Sequence, residues 1–381
     1  MSLALLPVRA QAQQFVSVGA AASCAGTVLK GTVHATVQAA VDGAIAARDS
    51  VVEICPGTYK GPVTVNDLGA MESLVIRGVG ADEDVAGMVV ITSPGTPGPI
   101  IDVVTANNVD IKNLTIDGQL MMVPTAPGGE VVGVRYREAN GVLENIIIQN
   151  IGNEDGSAVG IGLINQGPVV FIGQPLETRV ALSHSTIRNV IGTGIVADGA
   201  GVNRTVDQTA VIGPVQPSSV VVANATGNSV RNADFGASLT YSDGVRLEGN
   251  TFVDVRVGVL LQTSQDGVGC STPTSPTKNS NIVDNLILDP AEAGIALVNG
   301  LLGNPGPGPN TIQGNSIFTD VAVPMAPLFI DGQDNVISRN TIFAGPGSEI
   351  VDATTGTGTG GTANTYDDNR CFGGIQSDLC R

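Results

Sequence analysis

The chain has 381 residues, of which 50 are Gly and 21 Pro, with no Trp, four Tyr and eight Phe. Asp and Glu outnumber Lys and Arg 35 to 18, for a formal charge of −17, although charged residues make up only 14%. The chain is too apolar to be disordered, lacks the three-residue Gly period of collagen, and is too acidic for a nucleic-acid binder.

Met1 to Gln14 is short and apolar and ends in Ala10-Gln11-Ala12, a small-x-small site of the kind that signal peptidase cuts. Residues 1–12 are therefore read as a truncated secretion signal and 13–381 as a single domain. No apolar run approaches the ~20 residues of a membrane span. Five cysteines stand at 24, 55, 270, 371 and 380, without a Cys-x-x-Cys. In an oxidising compartment the natural pairs are Cys24–Cys55 and Cys371–Cys380, one stapling each end, with Cys270 left over.

From Thr36 to Arg48, apolar residues at Val37, Ala40, Val41, Ala44 and Ile45 recur at helical spacing. Beyond this helix a six-residue phrase repeats: apolar, x, x, Asn, x, apolar. It is found around Asn145, Asn250, Asn285, Asn315 and Asn340, with weaker copies at Asn228 and Ser185, and with Leu114 in the Asn place. A second, Gly-led phrase lies between copies, beginning at Gly133, Gly160, Gly194, Gly258 and Gly294. Strands of three to five residues divided by turns cannot pair within one unit. They pair with the equivalent strand of the next unit, which makes a solenoid. Stacking in register predicts that each inward Asn bonds the Asn above and below, and that it takes the left-handed backbone of a corner.

Thr36 to Val65, with its helix followed by Cys55-Pro56-Gly57-Thr58-Tyr59, resembles the opening of right-handed parallel β-helix proteins of the pectate-lyase-like superfamily. The resemblance implies an all-β, right-handed parallel β-helix with an N-terminal capping α-helix that closes an otherwise open sheet edge. It is specific for fold. The superfamily hosts lyases, hydrolases, esterases, epimerases, tail spikes and adhesins, so it leaves the function open.

Segments 118–131, 165–178, 199–219, 264–279 and 299–310 read as long loops, and Thr354–Thr362 as a flexible lead into a C-terminal disulfide segment at 364–381. The Asp-Asp, Gly-His-Gly and Arg-Ile-Lys motifs of polygalacturonases are not matched, and without Trp neither is the Trp-Gly-Arg of pectin methylesterases. A lyase demands less: a base for the C5 proton and cations for the uronate carboxylate. Alternation on Val134-Arg135-Tyr136-Arg137 sends both arginines to one face. Val134 and Val103 each lie 11 residues before a copy of the repeat. The two strands should stack, with Asp102 and Val104 outward beside Arg135 and Asp198 outward two coils on.

Asp102, Arg135, Arg137 and Asp198 are thus the candidate catalytic set, and an ordinary ion-paired face is the competing explanation. Six Asp-Gly pairs, at 117, 155, 198, 243, 266 and 331, read as corner turns. Asn153-Glu154-Asp155-Gly156 and Asp331 to Asp334 are the best candidates for a calcium loop. His34 and His184 read as structural. Calcium is the one cofactor anticipated, and the partner is a polysaccharide or cell-surface glycan met outside the cell or at its surface. The rival reading is a non-catalytic adhesive rod.

Overall fold

The computed structural model describes residues 13–16, 23–24, 27–28, 31–69, 71–79, 89–120, 130–152, 158–164, 179–198, 228–240, 242, 244–263, 276–299, 306–320, 323–373 and 378–380. The expected signal segment, Cys270, the Asp155 loop and most of the anticipated long loops lie outside them. The protein is a right-handed parallel β-helix. Each coil contributes a strand to each of up to three parallel sheets, named first, second and third in chain order.

Helix α1 (Val37–Ala47) lies close to the predicted bounds, and its four buried residues, Val37, Ala40, Val41 and Ala44, are among those the spacing named. Thr36 caps it by accepting from the Ala39 N–H at 3.1 Å, and Arg48 ends it in a left-handed turn. An unforeseen strand, Gln13–Val16, pairs in parallel with both Gly31–His34 and Val51–Ile54 and extends the first sheet beneath the cap. His34 ends one of those strands. Among the described residues no helix is long and apolar enough to cross a membrane.

The asparagine prediction holds in one half and is corrected in the other. Asn250, Asn285, Asn315, Asn340 and Asn369 form a continuous buried ladder. Each interior amide spends its full capacity. Asn315 donates from Nδ2 to the Ile282 carbonyl at 2.7 Å and to Asn340 Oδ1 at 3.0 Å. Its own Oδ1 accepts from the backbone and side chain of Asn285 at 3.0 and 2.9 Å. A second ladder runs Asn310–Asn335–Asn364.

The ladder residues do not take the left-handed backbone, however. The residue before each one does: Gly249, Asp284, Gly314, Arg339 and Asp368 all have positive φ, as does His184 before Ser185. The corner turns at that residue, which frees the amide to point inward. The stack partner of Asn145 is Asn113, not Leu114. Both are left-handed and joined at 2.9 Å, while Leu114 faces the core.

The Gly-led phrase also has a steric basis. Gly133, Gly160, Gly194, Gly236, Gly258 and Gly294 sit where an inward side chain of the second sheet packs against the third. A Cβ on Gly258 would lie 2.4 Å from the Gly294 carbonyl and 2.8 Å from Ile287 Cγ2.

Cys371 and Cys380 are bonded as predicted, and Leu379 and Cys380 pack against the last coil. Cys55 is also disulfide-bonded, but the Cys24 side chain lies outside the described residues. Thr354–Thr362 is a hydrogen-bonded loop rather than the expected flexible lead. Gly356 and Gly358 donate to Gly361 and Thr362, and the Thr354 hydroxyl accepts from Ala363. Asp117-Gly118 is a turn as expected, since Asp117 Oδ1 accepts from the Gln119 N–H at 2.8 Å.

Two tyrosines are held protonated. Burial raises the Tyr136 phenol well above its usual value, with the charge of Asp110 adding to it, and its hydroxyl donates to the Val109 carbonyl. Burial, and then the hydrogen bond to Asp352, raises Tyr366. Groups with raised folded pKa values contribute stability that is fully present below the unfolded phenol value near ~10 and is lost as pH rises past it. Denaturant midpoints should therefore hold up to about pH 9 and fall above about pH 10, with tyrosinate absorbance from these two residues appearing only on unfolding.

Candidate functional site

All four predicted residues lie on the outer face of the third sheet, which the strands Gly98–Val104, Val131–Arg137, Ala158–Ile164 and Gly192–Asp198 build in succession. Alternation puts Ile101, Val103, Val134, Tyr136, Ile161 and Leu163 in the core. The outward positions form two columns. One runs Thr64–Asp102–Arg135–Gly162–Val196, the other Asn66–Val104–Arg137–Ile164–Asp198.

The strands stack as expected, but in a register two residues from the one counted. Val103 faces Tyr136 rather than Val134. One residue of the error comes from taking Leu114 for Asn113. The other comes from the corner after Val104, which has left-handed turns at both Thr105 and Asn108, whereas the corner after Arg137 has one at Glu138. A slip of two preserves the face, so the outward set survives the miscount.

Arg135 and Asp102 form a two-pronged pair, Nε to Oδ1 at 2.9 Å and Nη2 to Oδ2 at 2.7 Å. The hydrogen bond to Asp102 is the main reason that the Arg135 pKa is raised. Arg137, on the same face, has no acidic partner among the described residues. Asp198 stands two strands further along its column, about 10 Å away at strand spacing. Gly162, beside Arg135, is buried, and a Cβ there would meet ordinary contacts at 3.6 Å or more.

Glu130, at the head of the Arg135 strand, was not anticipated because it closes a segment read as loop. The protein packed around its carboxyl raises its pKa, Arg135 opposes this, and Asp198 adds to it. The residue as a whole is exposed, so solvent screens the effect.

A second charged column on the first sheet runs Glu53–Arg77–Lys112–Glu144. Burial works against the Lys112 charge. Glu144, at 3.0 Å, and then Asp110 more than offset it, so its pKa is raised. Each base is thus paired with an acid next to it, and the charges are compensated within the column. Among the described residues no three His, Cys, Asp or Glu side chains converge to hold a metal.

The two arginines should separate on substitution. Arg135→Ala leaves Asp102 buried without its partner and should cost about 2 kcal/mol. Arg135→Lys should recover only part, because an ammonium cannot make both bonds. Arg137→Ala should change stability by less than about 0.5 kcal/mol. Urea titrations of the three variants check this.

Residues 178–371 match the sequence model of a family described as "Periplasmic copper-binding protein (NosD)". No curated protein matches the chain. Among solved structures it is similar to the A-module of a mannuronan C-5 epimerase from Azotobacter vinelandii, at 15% identity over 90% of this chain and 91% of that one, with a TM-score of 0.45. A surface adhesin of Streptococcus pneumoniae is similar at 14% identity over 90% and 88%, with a TM-score of 0.47. An alginate lyase from Paenibacillus is similar at 12% over 95% and 97%, with a TM-score of 0.37. At such identity the activity named for each stays its own.

Proposed function

The chain belongs to the NosD family, matched over about half its length, and on that premise we propose that it is an extracytoplasmic β-helix protein that binds an acidic polysaccharide along the outer face of the third sheet. The observation that carries this reading is Arg137. It stands outward on a face where the neighbouring arginine is already neutralised by Asp102, and no described carboxylate compensates it. Arg137 meets a sugar carboxylate, and the Asp102–Arg135 pair holds the strands in place. The end disulfide fits an oxidising compartment, secreted or at the cell surface.

Copper, named in the family's description, finds no fitting donor set among the described residues. Copper sites use imidazole, thiolate or thioether ligands. His34 and His184 sit several coils apart, and Cys55, Cys371 and Cys380 are in disulfides.

If the face also cuts its ligand, the chemistry is β-elimination. A base takes the C5 proton, the C4–O bond breaks, and the departing oxygen takes up a proton, with Asp198 as the carboxylate nearest in the Arg137 column and calcium as the added cation that neutralises the uronate. Incubation with alginate, pectate and neutral glycans, with calcium and with a chelator, tests this by following reducing ends together with unsaturated uronide absorbance. Unsaturated product lost in Arg137→Ala establishes a lyase. Reducing ends without unsaturation establish a hydrolase. Binding without either product leaves the adhesive rod, which the closed Asp102–Arg135 pair also favours. No binding of any acidic glycan refutes the reading.

A further inference from the structure

A column on the outer face of the second sheet changes character along the rod. It begins as Asp117–Gln149–Arg188, joined by side-chain hydrogen bonds, and continues through Arg231, Val253 and Leu288 to Phe318, Phe343 and Phe372 in three consecutive coils. An outward strand position ordinarily carries a polar side chain. Here three of the chain's eight Phe stand one above another, 38%, 41% and 50% exposed. The Phe318 and Phe343 rings stack with centroids 6.5 Å apart and planes 29° from parallel. Two residues earlier on the same strands, and so on the same face, a parallel column offers Ser316, Thr341 and Arg370.

Rigid, in-register aromatic rings bordered by hydroxyls and a guanidinium are the chemistry that recognises a sugar chain. The exposed ring surfaces meet the C–H groups of each pyranose, and the polar border bonds its hydroxyls. We propose that the Phe318–Phe343–Phe372 column is a second glycan-binding surface, distinct from the Arg137 face, and that it takes a neutral polysaccharide laid along the rod axis.

Two observations exclude a second copy of the chain as the occupant. The exposed aromatic area is on the order of 250 Å², well short of the about 800 Å² per partner of a stable protein interface. A net charge of −17 also repels another copy. A single neutral chain is narrow enough to be served by a stripe one residue wide.

Retention of the whole protein on insoluble cellulose, chitin, starch and β-1,3-glucan tests the proposal. Wild type should be depleted from solution by at least one of them. The triple variant Phe318→Ala, Phe343→Ala, Phe372→Ala should bind that polysaccharide at least tenfold more weakly, with an unchanged circular dichroism spectrum and melting curve. Replacing all three by Tyr should restore binding, and Arg137→Ala should leave it unaltered. Wild-type binding that survives in the triple Ala variant overturns the proposal and leaves the Arg137 reading standing. So does absence of wild-type binding to all four. A concentration-dependent dimer that the triple variant dissolves would make a second copy the occupant and overturn it as well.

Discussion

Asn315→Ala should destabilise the protein by about 3–5 kcal/mol, more than most polar substitutions. The loss is large because the amide serves three coils. Its removal strands the Asn285 backbone N–H, one Asn285 amide hydrogen and the Ile282 carbonyl, all in a buried column. Each orphaned buried group costs about 1–3 kcal/mol, and neighbouring losses overlap. The exposed Asn232, which donates to Asn189 at 3.2 Å on the rod's surface, makes the control. Asn232→Ala should cost only about 1–2 kcal/mol, because water replaces its partner and what remains is the poorer fit of Ala to the left-handed backbone at that position. Denaturation of both variants, with amide exchange to localise the loss, checks the pair. Equal effects would mean that the inner ladder owes nothing to burial.

Gly236→Ala should be nearly as damaging, at about 3 kcal/mol, the upper end for overpacking. The new methyl would sit 2.4 Å from the Gly258 carbonyl and 2.4 Å from the Phe252 ring. Phe252 is fully buried in the core column and cannot swing away. The backbone carbonyl belongs to the sheet ladder, so relief on that side opens strand pairing. Gly162→Ala, on the outer face of the same sheet, should change stability by less than about 0.5 kcal/mol, since its nearest contact is 3.6 Å. Thermal unfolding of the two variants side by side distinguishes a steric requirement from a general loss of backbone freedom.

These two positions also show what the sequence could and could not tell. The repeat of Asn at a fixed place between apolar residues is legible because in-register stacking makes each coil impose the same demand on the next. That was enough for the solenoid and the inward amides, while the cap helix was legible from the apolar spacing over Thr36 to Arg48. The left-handed residue was misassigned because the corner and the ladder are adjacent, and composition alone cannot tell which of two neighbours turns the chain. The Asn113–Asn145 stack and the third-sheet register failed for a related reason. Corner lengths vary by single residues, and only backbone dihedrals reveal where the extra one sits.

The outward face of Asp102, Arg135, Arg137 and Asp198 was reachable because period-two alternation survives a slip of two. Their pairing was not, since it depends on which residue stands opposite which. Arg135 and Arg137 look equivalent in sequence. One is closed on Asp102 and the other is not. The Phe column was visible as three letters spaced 25 and 29 residues apart, but its alignment needed the pairing of coils.

The central claim, an acidic polysaccharide held by Arg137 on the third-sheet face, is tested most directly by the affinity of wild type and Arg137→Ala for alginate and pectate at low and moderate salt. The account predicts binding by wild type that weakens with salt, and at least a tenfold loss in Arg137→Ala with stability unchanged. Equal affinity in the two proteins would contradict it.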